Sequence, residues 1–330
     1  MNGKEALFLV ALTATSCSVN AESKPPETYF PTTTESTTSF DGYEECIEIP
    51  DASLYIESSG GLYLPASQEC VEYVDSIYAE LSIHPMFSEY LDDTEVVYNG
   101  YTLSRAAKYQ EASGILTTGE FDDQTVKSMY HDLQLLENSE AILNGVAAEN
   151  PANWTRQELS DRLFLAGAFN VKYPLGSAPR TDLLNDQSLT DSMIRELSFF
   201  THWSIINDIK FNLLMVKEGH SQTTLSGNTS DHWVGRAFDI RPYNGDTPMR
   251  PYEHDSETAP PLEDRIITHP NAFENGVKIV EYFSQRSQNI SQLIWTDSPS
   301  TIQNGVTQPN YSRGQAIDRT HHDHIHIAVY

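Results

Sequence analysis

The closing stretch "DHIHIAVY" (323 to 330) alternates so strictly that it dictates its own secondary structure. Along a strand successive side chains point to opposite faces, so His324 and His326 share one face while Ile325 and Ile327 share the other. A helix would split this pattern, because its facing neighbours lie three or four residues apart. The apolar face needs a core beneath it, and the imidazole face, with Asp323 beside it, makes a wall suited to a metal ion. The chain must therefore build a sheet around this segment.

The remaining patterns supply both helices and further strands. "CVEYVDSIYAEL" spaces Val71, Val74, Ile77 and Leu81 at helical intervals. "YTLSRAAKYQEASGILTTGEFDDQTVKSMYHDL" reads as helix, turn, helix, with Thr118-Gly119 in the turn and Phe121 packing between the helices. Thr155 and Glu158 form a capping box ahead of "RQELSDRLFLAGAF", and another helix follows Ser188 or Thr190. "IKFNLLMV" (209 to 216), "VGRAFDIRP" and "SQLIWTD" read as strands, "NGVKIVEYFSQR" as a helix, and 243 to 272 as a long Pro- and acid-rich loop. No regular βαβ rhythm joins them, so the expected class is α+β. The expected architecture is a small, mainly antiparallel sheet flanked by helices, preceded by a small helical domain.

Charge narrows the function. Lys and Arg total 20 against 47 Asp and Glu, a net −27 over 330 residues. Such a surface repels phosphate backbones, whose affinity for proteins rests on cationic contacts, so nucleic acid is excluded as a partner. The N-terminus, "MNGKEALFLVALTATSCSVNAES", sets one Lys before a short apolar run and then small residues, the layout of an export signal. We expect a signal peptide over 1–21 ending at Val19-Asn20-Ala21, or a lipoprotein signal ending before Cys17. A lipid on Cys17 is the only membrane attachment the sequence offers. The expected location is secreted, periplasmic or cell-surface. Of three cysteines, Cys46 and Cys70 then remain as a pair that could form a disulfide. Residues 22–66 open with a Ser/Thr/Pro/Glu-rich tract too poor in apolar groups to offset its ordering entropy, and read as a tether. The expected order continues with a helical domain over 67–137, a polar linker over 138–154 and a second domain over 155–330.

A second stretch complements the closing strand. In "SDHWVGRAFDI" (230 to 240) a loop carries His232 and the strand after it carries Asp239, with Gly235 and Ala237 keeping the backbone between them tight. Trp233 and Phe238 read as packing residues. A His, Asp, His set leaves one position of a tetrahedral zinc ion open for water, the catalytic rather than the structural pattern.

"SDHWVGRAFDI" resembles the Ser-x-His-x-x-Gly-x-Ala-x-Asp signature of the zinc D-Ala-D-Ala carboxypeptidases, a superfamily shared with murein endopeptidases and the hedgehog fold. His321-x-x-His324-x-His326 resembles its second signature, and "GHSQTTLSGNTSDH" resembles the approach to the first. The resemblance covers roughly 160 to 330. It implies a zinc cleft in which His232, Asp239 and His326 hold Zn2+, and in which His321 and His324 assist catalysis. Asp323 would orient one of these imidazoles. No glutamate stands beside them, so the general base stays open among His321, His324 and Asp323. Ser230 would hydrogen-bond near the ligands or the substrate, and Arg236, His220 and Lys217 are the candidates to bind the substrate carboxylate.

The helical part resembles a peptidoglycan-binding repeat at Tyr109-Gln110, Gly114-Ile115-Leu116, Gly119-Glu120-Phe121 and Thr125, with Asp122 in place of the second loop glycine. Together the resemblances imply a zinc peptidase that hydrolyses D-alanyl or related bonds in peptidoglycan stem peptides. The alternative is a non-catalytic cell-wall-binding protein with a structural metal site.

Overall fold

The strand that closes the chain lies in the interior of a six-stranded antiparallel sheet in the computed structural model. The structure describes residues 68–330 apart from 85–86, 89–90, 92–96, 99–100, 103, 170–177, 218–221, 224–228, 243–269, 296–297, 299, 310–320 and 322–323. The expected signal, Cys17, the tether and Cys46 lie outside the described residues. So do His220, Asp323 and nearly all of the expected loop over 243 to 272. The chain divides into Met1–Asp41 and Gly42–Tyr330, and everything described belongs to the second unit.

Helix α1 (Gln68–Ile83) buries Val74, Ile77 and Leu81, as their spacing requires. A two-residue pairing of β1 (Val97–Tyr98) with β2 (Tyr101–Thr102) leads into α2 (Arg105–Ser113). Ser104 caps α2 by accepting from the Ala107 amide, and Gly114 ends it at φ 67°, a left-handed conformation that favours glycine. Asp122, which stands in the expected glycine slot, is the N-cap of α3 (Asp123–Glu137) and accepts from the Thr125 amide at 2.7 Å. Buried Gln110 ties the connecting loop together. Its Oε1 accepts from the amides of Thr118 and Gly119, and its Nε2 donates to the hydroxyls of Thr118 and Thr125. Phe121 is buried edge-on to Tyr78 of α1.

The stretch expected as a polar linker is structured. It holds α4 (Ser139–Gly145) and two 3-10 turns, Val146–Ala148 and Pro151–Asn153. Val146 and Trp154 are buried here. Glu149 accepts from the Trp154 indole and from Arg162, whose guanidinium lies 4.7 Å from the Trp154 ring. Counting polar residues misses these anchors because the packed side chains, Ile142, Leu143, Val146, Pro151 and Trp154, are scattered among polar ones.

Thr155 and Glu158 complete the capping box of α5 (Arg156–Leu165) in both directions. Helix α6 (Pro179–Asn185) starts with proline in its first turn, where the missing N–H costs nothing. Thr190 caps α7 (Asp191–Ile206). Then come β3 (Phe211–Met215), β4 (Ala237–Pro242), α8 (Pro270–Ser284), β5 (Ile290–Ile294), β6 (Ser300–Gln303), β7 (Val306–Pro309) and β8 (Ile325–Val329). The sheet order is β3-β4-β8-β5-β6-β7.

Strand alternation divides the sheet chemically. Phe238 pairs with Ile327 and Ile240 with Ile325, so one face is apolar. It packs on α7 and α8, where Phe200 lies 4.7 Å from Phe211 and 5.1 Å from Phe283 between ring centroids. The opposite face carries Asp239 directly across from His326. The fold is α+β, with helices and an antiparallel sheet sharing one buried cluster that runs from Val74 to Val329.

Candidate metal centre

Three side chains converge on the polar face. Asp239 and His326 are facing residues of neighbouring strands, the closest approach a sheet allows. His232 reaches them from the turn 231–235 that precedes β4. Gly235 closes this turn at φ 70°, and its amide donates to the His232 carbonyl. A side chain on Gly235 would strike the backbone of Ser188 and Leu189, and the Gly235 carbonyl accepts from the Thr190 amide at 2.9 Å. The turn is thereby fastened to the cap of α7, so only glycine fits between the histidine and the strand.

The donor atoms sit close together. His232 Nε2 is 3.2 Å from Asp239 Oδ1 and 3.2 Å from His326 Nδ1, and His326 Nδ1 is 2.9 Å from Asp239 Oδ1. Ligands about 2.0–2.1 Å from a tetrahedral ion stand about 3.3 Å apart, close to this triangle. His232 Nδ1 faces the Val216 carbonyl at 2.9 Å. A carbonyl only accepts, so Nδ1 carries the proton and neutral His232 presents a lone pair at Nε2. That lone pair points at a carboxylate oxygen, which is also an acceptor. A cation between them, either a proton or a metal ion, removes the repulsion.

Electrostatics agree. All three residues are buried. Burial pushes Asp239 upward, but the charges of His232 and His324 and the imidazole hydrogen bonds hold it well below the usual carboxylate range. Burial pushes His232 down, and the adjacent Asp239 carboxylate more than reverses this, so His232 titrates above its ordinary value. His326 is lowered by burial, which Asp239 only partly offsets. The site concentrates negative charge on one carboxylate and keeps His326 neutral, the state in which imidazole ligates metals. His232, Asp239 and His326 could hold a metal ion.

The other expected site residues fall at varied distances from this centre. His324 Nε2 is 3.8 Å from Asp239 Oδ2, and its side chain is partly exposed. The His321 ring lies 4.9 Å from that of His324 and 5.8 Å from that of His326. Ser230 is buried at the start of the turn, and its amide donates to the Gln222 carbonyl. Arg236 pairs with Asp231 at 2.7 Å, and Asp231 also accepts from Gln292 of β5. Lys217 is committed to Asp186 and to the Ser188 hydroxyl, each at 2.6 Å. Trp233 is not a packing residue: it is 43% exposed, because the turn that aims His232 inward turns its neighbour outward beside the Lys217 ammonium. Phe238 is fully buried in the core.

One partner of the site and one buried neighbour escape the sequence reading. The Val216 carbonyl that orients His232 is a backbone group with no residue signature. Arg241, two residues beyond Asp239 and facing Asn212, is buried on the same face of β4. The alternation that places Asp239 there would have found it.

Compared with protein-family models, with curated proteins and with solved structures, the chain matches none. Among the described residues no helix is long and apolar enough to cross a membrane.

Proposed function

We propose that this chain is a zinc-dependent peptidase, exported to the cell surface or beyond, that hydrolyses D-alanyl or related bonds in peptidoglycan stem peptides. The observation that carries the reading is the convergence of His232 Nε2, Asp239 Oδ1 and His326 Nδ1 within 3.2 Å of one another. Two imidazoles and one carboxylate favour zinc over harder ions, which prefer all-oxygen sites. When bound there, zinc supplies Lewis-acid polarisation of a carbonyl and a lowered pKa for water.

The chain's own residues supply the rest. The Val216 carbonyl fixes the His232 tautomer. His324, partly exposed and facing the free Oδ2 of Asp239, or its neighbour His321, takes a proton from the nucleophile and returns one to the leaving amine. Imidazoles suit this work because their ordinary pKa lies near neutrality. The helical segment around Gln110 holds the enzyme on the wall and raises the effective substrate concentration.

Isolated peptidoglycan incubated with the full chain tests the proposal, with products identified by mass. Release of D-alanine, or an opened cross-link, is expected with zinc and is abolished by chelation and in His232→Ala. Zinc bound without any metal-dependent product from several wall types would overturn the peptidase reading in favour of a wall-binding protein with a structural metal.

A further inference from the structure

A second site lies across the sheet from the metal centre. Trp203 of α7 and Tyr282 of α8 stack with ring centroids 4.6 Å apart and planes 28° from parallel. They line a cavity of about 340 Å3, together with Asn207, Lys278, Glu281 and Gln285 among others. That volume falls within the range of about 300–1,000 Å3 typical of small-ligand sites.

The polar groups around the rings differ in availability. Lys278 is paired with Glu274 at 2.7 Å, and the Asn207 amide nitrogen donates to the Trp203 carbonyl. Among the described residues, the side chains of Glu281 and Gln285, one helical turn apart, form no hydrogen bond or ion pair. The Trp203 indole N–H has no hydrogen-bond partner among them either. The cavity thus offers an aromatic wall, one carboxylate acceptor, one free amide and one indole donor.

This inventory discriminates between ligand classes. An anion would meet Glu281 with the nearby ammonium already neutralised. A divalent cation would find a single carboxylate where a hard ion needs about six oxygens. A wholly apolar ligand would bury the polar groups unsatisfied, at about 1–3 kcal/mol each. A pyranose ring has C–H bonds on its face and hydroxyls on its edge, and meets both halves of the lining.

We propose that this cavity binds an uncharged saccharide, lying against the aromatic lining of Trp203 and Tyr282 with its hydroxyls shared between Glu281 and Gln285. The proposal does not rest on the peptidase reading, since no metal ligand contributes.

The test is a calorimetric titration of the full chain with the tetramer of N-acetylglucosamine, whose acetamido groups match the Gln285 amide. Saturable binding is expected, weakened about tenfold in Glu281→Ala/Gln285→Ala, a variant confined to exposed side chains, and also weakened in Trp203→Phe, which keeps a ring but loses the N–H. His326→Ala should bind the sugar as the parent does, so a failed metal site and a failed sugar site are told apart. Absence of binding, or affinity unchanged in both cavity variants, would overturn the proposal.

Discussion

Replacing Arg180 with methionine should damage this protein more than any exposed substitution. The guanidinium of Arg180 on α6 makes a two-pronged contact with Asp132 on α3, at 2.6 and 2.9 Å. Both side chains are all but excluded from solvent, at 2% and 0% exposure. Arg180 Nε also donates to Ser160 on α5, and the Tyr109 hydroxyl of α2 donates to Asp132 at 2.7 Å. Four helices therefore meet at one ion pair. Arg180→Met keeps an unbranched apolar side chain but loses the guanidinium that lies 4.9 Å from the Phe164 ring, and strands a buried carboxylate with a single neutral donor. The cost of stranding such a charge is about 3–5 kcal/mol. At about 2–4 °C per kcal/mol for a domain of this size, Tm should fall by roughly 6–20 °C.

A second substitution separates charge from packing. Arg180→Met/Asp132→Leu removes both ions and leaves only the hydroxyls of Tyr109 and Ser160 short of a partner, at about 1 kcal/mol each. The double variant should thus be more stable than Arg180→Met alone. Urea unfolding measures both, with the slope checked for constancy. A loss below about 1 kcal/mol for Arg180→Met, or a double variant no better than the single, would refute the reasoning.

Three further outcomes follow from the geometry. Gly235→Ala should cost about 3 kcal/mol, of which about 1–2 is the left-handed conformation and the rest displacement of the Thr190 cap, and should weaken metal binding with it; urea unfolding and metal titration of one preparation check both. His131 donates to Asp161 at 2.9 Å, and that hydrogen bond raises its pKa. A raised folded value means the pair's contribution is complete below the unfolded pKa of about 6.5 and fades as pH rises through the folded value. The Tm gap between the parent and His131→Ala should therefore be wider at pH 5.5 than at pH 8.5, and a reversed order would contradict the pairing. Zinc at a hundred times its dissociation constant should stabilise the parent by about 2.7 kcal/mol, a gain that thermal unfolding should not find in His326→Ala.

Local rules made much of this fold legible. Thr155 with Glu158, the Thr190 cap and the intervals of Val74, Ile77 and Leu81 each specify a helix through neighbours in sequence, and each helix is there. The alternation in "HIHIAVY" by itself puts His326 on a polar face, and Asp239 lies opposite it. One hairpin was overlooked though its signal is local. Asn304-Gly305 joins β6 to β7 with positive φ at both residues, the signature of a tight hairpin turn.

What stayed hidden is contact between distant segments. Nothing near Asp132 or Arg180 announces that residues 48 apart in sequence form one ion pair. The role of the Val216 carbonyl depends on where the chain returns after the turn, not on the identity of any side chain. Trp233 is exposed despite its apolar character because it follows His232 in a turn that points the imidazole inward.

The claim that three side chains form one metal site is tested most directly by zinc content. Equilibrium dialysis with elemental analysis should find one zinc per chain in the parent. His321→Ala and His324→Ala should keep it, while His232→Ala, Asp239→Ala and His326→Ala should each lose it. Zinc retained at full stoichiometry in His326→Ala, or no zinc bound by the parent, would contradict the account.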